Sequence, residues 1–253
     1  MFLTIRISLF SLLFPLLFAF TNCKKTIESP SLTPEFLSLS EWKTDFIFYT
    51  AINFRTDGTY TISEETEGCG GHSGTYQILQ NSIQLKANSG EFCLPSENQF
   101  DIPCSFQLLE ESLDYIYAIQ CEGYPETFKK ITDRVPEGLK RKVGDREVVT
   151  MGLKKGRVTT ALKYRVDPDK SSEAIKCTNY TMELERKSSL PKDLELIVLA
   201  RTPNKEKVDD KWENYWYYVY PLNDYETSCS DSKNQFRRYG WVFGEFVNLD
   251  NQK

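Results

Sequence analysis

From Glu41 onward the chain sets apolar against polar positions with a period of two. Phe46, Phe48, Ile52 and Phe54 fall on one face of an extended segment and Asn53 and Arg55 on the other, as in a half-buried strand of an antiparallel sheet. The strand ends at Arg55-Thr-Asp-Gly-Thr59, a turn signal. A two-residue Asp57-Gly58 loop would set Phe54 against Thr61 and leave Tyr60 on the wrong face. A three-residue Thr56-Asp57-Gly58 loop, with Gly58 left-handed in a bulge, pairs Phe54 with Tyr60 and Ile52 with Ile62. The second register keeps the apolar face whole, because a slip of one residue turns every side chain over.

The pattern repeats downstream. Gly74–Leu79 and Ser82–Ala87 flank Gln80-Asn81, and a two-residue loop there aligns Ile78 with Ile83 and Tyr76 with Leu85. Further strands are predicted at Ser105–Leu109 and Leu113–Cys121, with Tyr115, Tyr117 and Ile119 sharing a face, and Phe128–Ile131 is placed to close the sheet. This half shows no helical period. An up-and-down meander of about six strands suits a small barrel or half-barrel. Residues 132–146 carry Pro136, Gly138 and Gly144 and a run of Lys and Arg, and read as a solvated connector that breaks regular structure. Beyond it, Asn214-Tyr-Trp-Tyr-Tyr-Val-Tyr220 and Arg238-Tyr-Gly-Trp-Val-Phe-Gly-Glu-Phe-Val247 are aromatic, β-branched runs separated by a polar loop, the signature of a hairpin.

Gly240-Trp241-Val242 followed by Gly244 and Phe246-Val247 resembles the last strand and closing turn of bacterial SH3-like domains. The Trp-x-x-Val of that family's penultimate strand is matched by Trp216-Tyr-Tyr-Val219, and its first strand by Leu162-Lys-Tyr-Arg165-Val-Asp-Pro168. The resemblance covers about residues 147–250 and departs from the family in its Val166-Asp167-Pro168 turn and in long loops that carry Cys177 and Cys229. It implies a small barrel that binds peptides, often of the cell wall. It also places Cys177 and Cys229 in one domain, where their bridge would pin the first long loop to the last. In the first half, Phe54-x-x-Asp-Gly-Thr-Tyr60, Gly74-x-Tyr-x-Ile78 and Asn81-x-Ile83 resemble bacterial lipocalin-like domains, which implies an apolar interior. The expected fold is therefore all-β: an N-terminal antiparallel meander barrel or half-barrel, lipocalin-like, over 39–131, a linker at 132–146, and a small SH3-like β-barrel over 147–253.

The first residues change where such a protein would work. Arg6 precedes an apolar run from Ile7 to Phe20, too short to span a bilayer and suited to a secretory signal over residues 1–22. Phe20-Thr-Asn-Cys23-Lys-Lys resembles the relaxed lipobox of spirochaete-type lipoproteins, which implies cleavage before Cys23 and acylation of that residue. Several acyl chains hold a protein at a membrane stably, each buried methylene contributing about 0.8 kcal/mol. Residues 23–38, with two prolines and no period, read as a tether. The expected location is the cell envelope, with the outer membrane favoured.

Charge and cysteines narrow the partners. The formal net charge is −5, and loss of Arg6 with the signal makes it −6, which argues against nucleic acid. Apart from Cys23 the cysteines are Cys69, Cys93, Cys104, Cys121, Cys177 and Cys229, an even set that reads as disulfides in an exported chain. The first four allow three connectivities, among which sequence does not choose. No Cys-x-x-Cys pair points to zinc.

No catalytic, metal or cofactor site is predicted. The single histidine, His72, falls in Cys69-Gly-Gly-His-Ser-Gly74, which reads as a loop, and an oxidised Cys69 would be no nucleophile beside it. Glu64-Glu-Thr-Glu67 reads as an acidic strand edge rather than a pair of catalytic carboxylates. Aromatic side chains on the outer face of the Tyr215–Tyr220 strand suit peptide recognition, flanked by loops at Tyr164–Asp169 and Asn204–Trp212. The candidate contacts are Tyr164, Trp212, Tyr217 and Tyr239. The function expected is a non-catalytic envelope lipoprotein that binds cell-wall peptide or an envelope protein. The alternatives are a surface adhesin or host-protein binder and a lipocalin-like carrier or sensor of an apolar ligand.

Overall fold

The computed structural model describes residues 30–253, apart from 46–49, 65–69, 89–99, 180–186, 223–226 and 251–253. Cys23, Phe46, Phe48, Glu65–Glu67, Cys69 and Cys93 lie outside the described residues. The fold is all-β, and residues Ser31–Lys253 form one unit.

Its first part is a closed antiparallel barrel of β1 (Trp42–Lys43), β2 (Thr50–Phe54), β3 (Thr59–Glu64), β4 (His72–Leu79), β5 (Ser82–Ala87), β6 (Asp101–Leu108), β7 (Tyr117–Cys121) and β8 (Phe128–Lys130), paired in chain order. β8 returns to β1, with Trp42 opposite Lys130, so the meander keeps no free edge. The β2–β3 register is Phe54 with Tyr60 and Ile52 with Ile62, and Gly58 has φ 84°, the bulged three-residue loop expected from the apolar pattern. The β4–β5 hairpin likewise sets Ile78 against Ile83 and Tyr76 against Leu85. Alternate residues from every long strand meet inside: Ile52, Tyr60, Tyr76, Ile83, Leu85, Ile102 and Ile119 are all buried.

Two expectations change in this half. The segment read as a tether contains a short helix, α1 (Pro34–Ser38), capped by the Thr33 hydroxyl, which accepts from Phe36 N at 3.2 Å, with Pro34 in the first turn. A helix this short shows no period, and only its cap signals it. It packs on the barrel: Leu37 is fully buried, its carbonyl accepts from the Trp42 indole at 3.1 Å, and the Phe36 ring lies 5.6 Å from that of Tyr117 and 5.9 Å from that of Phe106. His72 is not in a loop but opens β4, only 3 % exposed. Its neighbouring glycines serve close packing of strands. A Cβ at Gly71, whose φ is 92°, would lie 1.8 Å from the Ile62 carbonyl oxygen, and one at Gly74 2.0 Å from that of Lys86.

Residues 132–146 are not free of regular structure either. The Thr150 hydroxyl donates to the Pro136 carbonyl at 2.6 Å, Val135 is buried, and β9 (Lys140–Val143) forms a hairpin with β10 (Arg146–Val158) around Gly144. After β10 come β11 (Leu162–Lys163), β12 (Lys176–Asn179), β13 (Ser189–Leu190), β14 (Glu195–Arg201), β15 (Glu206–Val208), β16 (Trp212–Asn214), β17 (Trp216–Pro221), β18 (Thr227–Ser230), β19 (Gly240–Phe243), a 3-10 turn at Gly244–Phe246 and β20 (Val247–Leu249).

The second sheet runs β19-β17-β14-β10-β20 and curls into a half-barrel. Its curl has local causes. Register shifts at Thr150/Lys154 in β10 and at Val198/Ala200 in β14 are bulges, the first turning on Gly152 and Leu153 with φ 64° and 57°. The open side is spanned by the long loop after β10, where Arg165 exchanges backbone hydrogen bonds of 2.8 and 2.9 Å with Trp241 of β19. One face of the sheet carries Val158, Leu196, Val198, Tyr217, Val219 and Val242 into a core with Tyr164 and Ile175 from that loop. The other carries Leu199, Trp216, Trp241 and Phe243, together with Leu113 from the β6–β7 connection of the barrel.

Both disulfides among the described residues join residues directly opposite on paired strands. Cys104–Cys121 links β6 to β7, and Cys177–Cys229 links β12 to β18, tying the loop after β10 to the loop after β17 as expected.

Candidate functional site

The four aromatic residues picked out as contacts do not converge on one groove. Tyr164 is 0 % exposed, and its single hydroxyl proton is shared between the carbonyls of Arg238 at 2.9 Å and Val219 at 3.2 Å, so the ring pins the long loop to β17 and the segment before β19. Tyr217 is 8 % exposed, lies against Gly244, where an added Cβ would come within 2.8 Å of its ring, and is held above the usual phenol range by burial. Neither has a surface to offer a partner. The strand Trp216–Pro221 alternates as any strand does, and the face opposite Tyr217 is covered too: Trp216 packs on Phe243 at 5.2 Å and Tyr218 on Trp241 at 5.1 Å. The period of two was legible, but which layers cover each face depends on residues remote in sequence.

Trp212 and Tyr239 border two different surfaces. The first is an aromatic face at the end of the curled sheet. The β15–β16 hairpin brings half-buried Trp212 onto Phe246 of the 3-10 turn, with centroids 5.4 Å apart in an edge-on arrangement. Trp212 packs against one core of the sheet and Tyr215 against the other, with Phe246 bordering both, and the Tyr215 carbonyl accepts from Gly244 N of the same turn at 2.8 Å. Asn214 Nδ2 donates to Glu245 Oε2 at 3.1 Å and ties the hairpin to the turn. Cations cover these rings: the Arg201 guanidinium stands 4.1 Å from the Tyr215 centroid, and Lys211 Nζ 4.6 Å from that of Trp212. Tyr215 and Arg201 escaped the sequence reading, although Tyr215 opens the aromatic run itself.

The second surface is a cleft of about 320 Å³ between the barrel and the curled sheet, bordered by Leu113, Asp114, Lys129, Lys142, Tyr218 and Tyr239 among others. The Tyr239 hydroxyl donates to Asp114 Oδ2 at 3.0 Å. Burial pushes the Asp114 carboxyl above the usual carboxylate range, against the opposing pull of the Tyr239 hydrogen bond and the charge of Lys129. Burial likewise raises Tyr218, to about 12. Lys129 is paired with Asp45, which also lies 4.0 Å from Arg238. Asp114 was hidden in the sequence because Leu113–Cys121 reads as one strand, whereas β7 starts only at Tyr117 and the preceding residues turn toward the sheet.

Inside the barrel, His72 is a structural residue. The Tyr124 hydroxyl bonds the Glu64 carboxylate and lies 2.8 Å from His72 Nε2, while the Tyr60 hydroxyl lies 3.1 Å from Nδ1. With the Tyr124 proton given to Glu64, Nε2 donates and Nδ1 accepts, which satisfies a neutral imidazole. Among the described residues no three of His, Cys, Asp and Glu converge as metal ligands.

Comparison with protein family models, characterised proteins and solved structures finds no match to the chain.

Proposed function

We propose that this is a non-catalytic cell-envelope lipoprotein, anchored through acylated Cys23, whose SH3-like curled sheet binds cell-wall peptide or an envelope protein. The barrel is its scaffold. The observation that carries the reading is the half-buried Trp212–Phe246 pair at the end of the curled sheet, with half-buried Tyr215 bonded to the same 3-10 turn and a basic side chain over each of Trp212 and Tyr215. Such rings offer large contact area at low entropic cost, and residues of these types dominate binding energy in interfaces. The paired cysteines support export, since disulfides persist in oxidising compartments.

The test is co-sedimentation of the purified protein, beginning at Lys24, with isolated cell-wall sacculi. The expected result is pelleting that is lost in Trp212→Ala and weakened in Arg201→Ala, while thermal unfolding shows both variants folded. A folded Trp212→Ala that pellets like the parent removes this face from the binding surface. Absence of pelleting by the parent protein removes the wall as its ligand and leaves an envelope protein as the partner to seek by cross-linking in intact cells.

A further inference from the structure

We propose that the cleft between the barrel and the curled sheet is a separate binding site for a small zwitterion of amino-acid size, its ammonium group on Asp114 and its carboxylate toward Lys142. Charge pairing around the cleft is unequal. The acid Asp45 is served by Lys129 and approached by Arg238. The Asp114 carboxylate has only a neutral hydroxyl, that of Tyr239, as hydrogen-bond partner among the described residues, and no ion pair joins it there. That bond occupies Oδ2. Among the described residues no hydrogen bond reaches Oδ1, and Asp114 lines the cleft. A desolvated carboxylate with one satisfied oxygen and one free gains most from a charged N–H donor.

The walls set the rest of the ligand. Leu113, Leu199 and the Tyr218 and Tyr239 rings, which line the cleft, suit a short aliphatic body. Tyr218 and Tyr239 are stacked, with centroids 5.8 Å apart, so this wall is preformed. Lys142 is exposed and lines the cleft, where it is placed to meet a carboxylate. The volume lies at the lower end of ligand cavities, about 300–1,000 Å³, enough for one amino acid or the amino end of a short peptide and not for a lipid.

The experiment is titration of the same purified protein, by calorimetry, with leucine, leucine methyl ester and N-acetyl-leucine. Saturable binding of leucine is expected, together with a loss of more than about thirtyfold on N-acetylation, the cost of leaving a buried carboxylate unpaired. The ester, which keeps the ammonium, should lose less. Asp114→Asn should abolish binding of leucine and ester alike. Lys142→Ala, on the surface and neutral for folding, should weaken leucine to the level of the ester and leave the ester unchanged. Trp212→Ala should bind leucine as the parent does, because the aromatic face is a different surface, so failure of wall binding leaves this site standing. N-acetyl-leucine binding as tightly as leucine, or no saturable leucine binding up to about 10 mM, overturns the proposal.

Discussion

The barrel and the curled sheet meet the same requirement, removal of unpaired strand edges, in different ways. In the barrel each strand pairs with its neighbour in sequence and β8 closes on β1, so the edges are removed by pairing in chain order. In the curled sheet the strands that pair are separated by long loops: β10 meets β14 after residues 159–194, and β17 meets β19 after residues 222–239. Those loops close the sheet from outside, through the Arg165–Trp241 backbone bonds, the Tyr164 hydroxyl and the Cys177–Cys229 bridge. Closure by hydrogen-bonded strands leaves little surface for recognition. Closure by loops leaves half-buried rings at their margins, and both candidate surfaces border the curled sheet.

The disulfides test that difference most strongly. Cys177–Cys229 closes a loop of 52 residues and Cys104–Cys121 one of 17 between strands already paired. Chain entropy alone assigns about 4 kcal/mol to the first and about 3 kcal/mol to the second. Serine replacement of Cys177 and Cys229 should therefore lower stability in urea by the larger amount and release the loops while the barrel keeps its hydrogen-exchange protection. Equal or reversed losses would mean that the sheet does not depend on its staple.

Tyr164→Phe is the next largest. It removes one hydroxyl serving two carbonyls in the core, and about 1–2 kcal/mol should be lost. Tyr76→Phe in the barrel, whose hydroxyl donates at 2.8 Å to the Arg55 carbonyl in a half-exposed turn, should lose less. Urea unfolding of the two variants ranks them.

Acid separates two carboxyls of opposite sign. For Asp231, burial acts upward, but hydrogen bonds from Gln235 N, the Arg237 guanidinium and Lys233 N outweigh it and hold the group below the usual carboxylate range. Its contribution is present above the unfolded-state value, about 3.9, and is lost as pH falls through the depressed folded value. Asp231→Asn should flatten that acid limb in a series of melting temperatures against pH. Asp114, raised by burial, acts the other way: stability falls as pH rises from the unfolded-state value toward the folded one. In Asp114→Asn that decline should disappear, the smallest of these effects.

The hairpins of the barrel were legible because a period of two and a turn chemistry agreed on one register, as at Phe54/Tyr60 and Ile78/Ile83. Closure by β8 was legible from Phe128-Lys-Lys-Ile131 following the last alternating strand. What was not legible depends on layers meeting from distant residues. Tyr164 and Tyr217 resemble surface aromatics in sequence and are core, since the loop that covers them returns from far along the chain. His72 was masked by glycines that serve strand packing, and Asp114 by a strand that starts later than its alternation implies. Trp212 was picked out by its place in a loop before an aromatic strand, whereas its partner Phe246 is supplied by the closing turn.

The most direct measurement of the account is a nuclear magnetic resonance titration of isotope-labelled protein with soluble muropeptides. The account predicts saturable shifts at the Trp212 indole and at Tyr215, Phe246 and Arg201, with the barrel strands unmoved. Shifts centred on the barrel would contradict it, and none at saturating muropeptide would remove the wall as the ligand of this face.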